Sequence, residues 1–124
     1  MFLYANGASR SRSYRLIRGA SIMSEFVIVC PVSQLPAIGQ VAEFTVAGRS
    51  LCVANINGGV AVLDGVCPHE GGPLGEGLIE DGRVVCPWHA YSFDLHTGIC
   101  HEDQSLKSQV IESQVAEGEL RAKL

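Results

Sequence analysis

Cys67-Pro68-His69 and, after a gap of 16 residues, Cys86-Pro87-Trp88-His89 are the stretch on which the reading of this chain turns. Each segment offers one soft thiolate and one imidazole at short spacing. Two such pairs in one chain read as a metal site in preference to a disulfide. Gly71-Gly72-Pro73 and Gly75 follow the first pair, so backbone can come close to whatever the donors hold.

Outside these segments the chain is written in short strands and turns. Residues 26–30 form a β-rich run closed by Pro31, and Gln34-Leu35-Pro36-Ala37-Ile38-Gly39 is a loop with breakers at both ends. Residues 41–46 and 51–56 predict two strands around Ala47-Gly48-Arg49. Asn57-Gly58 predicts a tight hairpin returning through residues 60–63. A second hairpin is expected over 78–85 around Glu80-Asp81-Gly82, and a third over 91–100 around His96-Thr97-Gly98. The C-terminal part predicts one strand over 109–116, a Glu117-Gly118 turn and a last strand over 120–124. No window sustains a helical period, apart from a weak trace at 33–35. Many short strands at close turn spacing predict an antiparallel all-β sandwich or small barrel.

The 124 residues, 47% hydrophobic and 6% aromatic, suit one domain with a modest core. The longest apolar runs, such as Phe26-Val27-Ile28-Val29-Cys30, fall far below the ~18 residues of a helical membrane span, which excludes transmembrane roles. Residues 1–24 carry Arg10, Arg12, Arg15 and Arg18 and no acid. That composition suits an organelle transit peptide, but the abrupt change after it favours a disordered or non-native extension, with Met23 as a candidate start. The expected domain is therefore 25–124, and the expected compartment is the cytoplasm. Residues 25–124 hold all 13 acids against five basic residues. An acidic body of this kind argues against nucleic acid and suits a basic protein partner.

Zinc is the first metal to weigh, because two cysteines with two histidines are a common structural zinc set. The order here is Cys-His then Cys-His, whereas a finger places both cysteines first and both histidines on a helix. An iron–sulfur pair, whose bridging sulfides need close backbone N–H groups, suits the glycine-rich surroundings better.

At these residues the chain resembles the Rieske iron–sulfur proteins, whose motif is C-x-H followed by C-x-x-H. The resemblance implies an inserted cluster-binding subdomain, with loops over about 64–94, carrying a [2Fe-2S] cluster. It implies that Cys67 and Cys86 hold one iron while His69 and His89 hold the other, outermost one. Two thiolates and two neutral imidazoles leave the oxidised cluster uncharged, whereas four thiolates would leave it negative. A neutral centre accepts an electron more readily, and imidazole N–H groups make the potential pH-dependent in alkali.

The same resemblance sets the potential. High-potential members add a cysteine to each ligand loop, where this chain has Gly72 and Trp88, and a Ser and a Tyr hydroxyl aimed at sulfur, where it has Tyr91 and Phe93. Fewer donors leave more electron density on sulfur and predict a low potential, roughly -150 mV. The chain also has no proline after Pro87, so residues 101–106 are expected to form a short, open cover in place of a proline-rich one.

The implied role is that of a soluble Rieske-type ferredoxin, an electron carrier rather than an enzyme, taking one electron from a flavin-dependent reductase to a terminal oxygenase. The alternative is the small subunit of a larger enzyme such as assimilatory nitrite reductase, partnered by its large subunit. Cys30, Cys52 and Cys100 read as buried structural thiols. His96 and His101 read as solvated, Trp88 as loop packing, and Glu70, Glu76, Glu80 and Asp81 as either a solvated face or a docking surface.

Overall fold

The computed structural model describes residues 26–57 and 59–124, which form ten antiparallel strands. In chain order they are β1 (Phe26–Pro31), β2 (Gln40–Val46), β3 (Arg49–Ile56), β4 (Gly59–Asp64), β5 (Leu78–Glu80), β6 (Arg83–Val85), β7 (Ser92–Asp94), β8 (Val110–Ile111), β9 (Ser113–Ala116) and β10 (Glu119–Lys123). No α-helix occurs among the described residues, and no helix is long and apolar enough to cross a membrane. The weak helical trace near residue 33 is a single 3₁₀ turn, Val32–Gln34. The N-terminal extension expected over 1–24 lies outside the described residues.

The strands form three sheets, ordered β1-β10-β9, β2-β3-β4-β8 and β5-β6-β7. Turn chemistry sets their registers. Ala47-Gly48, Asp81-Gly82 and Glu117-Gly118 each put two consecutive residues at positive φ, the backbone that a right-twisted two-residue hairpin requires. Ile56 pairs with Gly59 where β3 meets β4, and Gly58 of the expected Asn57-Gly58 turn lies outside the described residues.

Strand β3 is the spine. Its alternating side chains feed two separate cores, as the two-residue period of a strand demands. Leu51 and Val53 join Val62, Ile111, Leu120, Ala122 and Cys30 between the two larger sheets, which makes the sandwich. Cys52 and Ala54 point the other way and join Leu63, Leu74, Val84, Phe93, Leu95 and Cys100, together with Cys67 and Cys86. Removing one large buried side chain from either core, as in Leu63→Ala, costs about 2–5 kcal/mol.

Strands β4 and β8 are neighbours in one sheet, Val62 facing Ile111, yet 45 residues of chain separate Asp64 from Val110. The smaller sheet and both ligand segments occupy that excursion, so the subdomain is an insertion between two adjacent strands. Two expectations need correction. The strand expected over 109–116 divides into β8 and β9, which belong to different sheets. The third hairpin closes through a single bridge, Phe93 to Cys100, instead of a second strand, and Ile99 bridges onward to Lys107.

Candidate metal centre

Each ligand segment folds back on itself in the same way. The Cys67 N–H donates to the Gly72 carbonyl at 2.8 Å, and the Cys86 N–H donates to the Tyr91 carbonyl at 2.7 Å. Both loops thus hold a cysteine at the base and carry their histidine on the outer turn. The first loop leaves β4, with Val66 bridged to Pro73; the second connects β6 to β7, whose Val85 and Ser92 pair.

The two cysteines are 1% exposed, whereas the His89 side chain is 57% exposed. Burial pushes the Cys86 thiol up; the Trp88 N–H, 3.4 Å from its sulfur, opposes this, and the adjacent Cys67 thiol adds to it. The imidazoles meet edge to face, with ring centroids 5.3 Å apart. His69 Nδ1 is buried with no hydrogen-bond partner. A buried orphan of this kind is costly unless something binds it.

The loops meet so closely that only glycine fits between them. A Cβ on Gly72 would lie 2.8 Å from the Cys86 sulfur and 3.0 Å from the Trp88 ring. Trp88 therefore packs the two loops together, as its sequence position suggested, and remains 49% exposed. His89 and Ala90 both hold positive φ, 66° and 60°. Two side chains in that region cost about 1–2 kcal/mol each, and such strain collects where a loop must aim a functional group.

Two contacts of the site were not foreseen from the sequence. Glu70 places a carboxylate oxygen 3.1 Å from His89 Nδ1, and the Tyr91 ring stacks on His69. The order of residues alone gave no signal for either contact. His96 and His101 are exposed and lie outside the donor set.

The arrangement separates the sulfurs from the nitrogens. Among the described residues, one group of three donors lies within 4.8 Å of one another: His69, Glu70 and His89, without either cysteine. A single tetrahedral ion needs all four donors around one point at about 2.0–2.3 Å each. A pair of thiols at the base and a pair of imidazoles above suit a binuclear group instead. The four residues fit a [2Fe-2S] cluster, which would supply one-electron redox chemistry here.

A profile of the Rieske [2Fe-2S] domain matches residues 25–117. The chain belongs to the Rieske family. The cofactor of that family is a [2Fe-2S] cluster, and the all-β antiparallel architecture agrees with the Rieske ferredoxin fold. The chain is 35% identical over 75 residues to the ferredoxin component of the alkene monooxygenase system from Xanthobacter autotrophicus, covering 60% of this chain and 61% of that one. Among solved structures it resembles the ferredoxin of carbazole 1,9a-dioxygenase from Nocardioides aromaticivorans IC177, at 24% identity and a TM-score of 0.71, over 78% of this chain and 95% of the other. A structure assigned as an NADH-dependent nitrite reductase small subunit from Mycobacterium tuberculosis is alike at 21% identity and a TM-score of 0.71, over 78% and 92%. The chain spans only 13% of mouse apoptosis-inducing factor 3, to which it is 36% identical over 80 residues covering 64% of this chain.

The remaining Rieske cysteines sit in the cores. All five thiols are free and buried. Burial and the nearby Glu43 charge push the Cys52 thiol up to about 12, and burial raises Cys30 and Cys100. Held protonated on strands and loops away from the two ligand segments, these three thiols are poor nucleophiles, as expected of structural cysteines.

Proposed function

We propose that this Rieske protein is a one-electron carrier whose [2Fe-2S] cluster is held by Cys67 and Cys86 at the buried end and by His69 and His89 at the surface. The gradient from 1% exposed cysteines to a 57% exposed His89 side chain supports this reading. An electron entering or leaving through the imidazoles crosses the least protein, so these two side chains are the exchange point. Similarity to ferredoxin components of oxygenase systems supports a carrier role over a catalytic one. In that role a flavin-dependent reductase donates the electron and a terminal oxygenase receives it.

Neither of the two positions that carry hydroxyls in high-potential members serves a candidate sulfur in the same way: Phe93 has no hydroxyl and is fully buried, and Tyr91 turns its ring onto His69, while the Trp88 N–H lies 3.4 Å from the Cys86 sulfur. Sparse donation to sulfur favours the oxidised state, which supports a potential near the low end of the Rieske range, about -150 mV. Cys30, Cys52 and Cys100, free thiols beyond the two ligand cysteines, suit a reducing compartment such as the cytoplasm.

Potentiometric titration of the purified full chain tests the reading. One reversible electron per chain at low potential is expected; absence of a reversible wave, or a midpoint hundreds of millivolts higher, would overturn it. The second role, a fixed nitrite reductase small subunit, predicts co-purification with a large partner in place of a free chain.

A further inference from the structure

We propose that Glu102 is a positioning residue, a carboxylate staple that fastens the segment 101–106 to the second ligand loop and holds Tyr91 against His69. The proposal rests on the assignment of the cluster to these loops and goes beyond it. Ser92 is one of the two buried polar residues among the described residues, at 5% exposure. Its N–H donates to Glu102 Oε1 at 2.7 Å, and its hydroxyl proton is shared between Oε1 at 3.1 Å and Oε2 at 2.9 Å. The Cys100 thiol donates to the same carboxylate at 3.6 Å, and the His101 N–H returns to the Ser92 carbonyl at 2.8 Å.

Ser92 adjoins Tyr91, and Tyr91 makes two contacts with the site. Its ring lies 3.9 Å from the His69 ring, and its carbonyl receives the Cys86 N–H. A shift of backbone at 91–92 therefore moves the neighbours of one imidazole and one thiol together. The segment that Glu102 anchors is itself closed: Cys100 N–H donates to the Leu106 carbonyl, Leu106 N–H to Asp103, and Leu106 packs on the core that contains Cys67 and Cys86. Burial opposes ionisation of Glu102, but the Ser92 donors outweigh it and hold the carboxyl below its usual range.

The test compares Glu102→Ala, Glu102→Gln and the distant control Glu117→Ala in the full chain. Hydrogen exchange at the Ser92 and His101 amides is followed first, then the rate at which chelator bleaches the cluster. Positioning predicts that Glu102→Ala speeds both by about five- to ten-fold, while Glu102→Gln, which keeps an acceptor for the Ser92 N–H, stays within about two-fold of the native chain. Wild-type exchange in Glu102→Ala would overturn the proposal. So would equal effects of Ala and Gln, since that outcome assigns the effect to charge. The exchange readout needs no cluster, so an iron-free preparation would refute the cluster assignment while leaving the staple testable.

Discussion

The Tyr91 ring lies on the His69 imidazole, 3.9 Å between centroids and 20° from parallel. This contact explains how a bulky residue is accommodated three positions before Asp94 on the second ligand loop: it turns toward the first loop and becomes part of its support. One aromatic side chain thereby connects the two halves of the site.

Tyr91→Ala removes that support and should lower stability by about 0.5–1.5 kcal/mol beyond the lost apolar area, with Tyr91→Phe close to the native chain. Urea unfolding of the three proteins checks this. Equal losses in Phe and Ala would show that the hydroxyl, not the stacked ring, matters.

Gly72→Ala places a methyl group 2.8 Å from the Cys86 sulfur. The loops must part to admit it, so iron bound per chain should fall by about half or more while the strand content is kept. Metal analysis beside circular dichroism separates these effects. Full iron loading would mean that the loops are not in close contact.

Ala90 occupies a left-handed backbone position with φ 60°. Replacing it with glycine removes the Cβ penalty, and Ala90→Gly should stabilise the chain by about 0.5–1 kcal/mol. Destabilisation in urea would count against the strain described for this loop.

Stability should decline at both ends of the pH scale for different reasons. Glu102 and Asp94 have carboxyls lowered in the folded chain, the first against opposing burial by its Ser92 bonds, the second by the Thr97 and His96 N–H groups. Their contribution is complete above the unfolded values, 4.5 and 3.8, and is lost as pH falls through the lower folded ones. Cys52 behaves in the opposite sense: raised to about 12 from 9.0, it favours the folded chain below pH 9 and loses that contribution as pH rises toward 12. Cys52→Val should flatten the alkaline limb of a Tm-versus-pH curve, and Glu102→Gln the acid limb. An unchanged curve in either variant would contradict the corresponding assignment.

Much of this architecture was legible because its signals are local. Cys67, His69, Cys86 and His89 are marked by short spacings, and Gly48, Gly82 and Gly118 each follow a residue that the hairpin turn forces to positive φ. The division of residues 109–116 was hidden, because the break between β8 and β9 follows from which sheet each half reaches and not from any breaker residue. The contacts Glu70 to His89, Tyr91 to His69 and Ser92 to Glu102 were equally hidden. Each depends on how two loops approach in space, and an isolated glutamate or serine reads as an ordinary solvated residue until its partner is known. The bonds that fasten residues 101–106 beside Ser92 were hidden for the same reason.

The arrangement of two thiols below and two imidazoles above is tested most directly by analysing freshly purified protein for iron, acid-labile sulfide and zinc, then recording the paramagnetic resonance of the one-electron-reduced form. About two irons and two sulfides per chain are expected, with hyperfine coupling to two imidazole nitrogens that disappears in part in His89→Cys. Zinc in place of iron, or a reduced spectrum without nitrogen coupling, would contradict it.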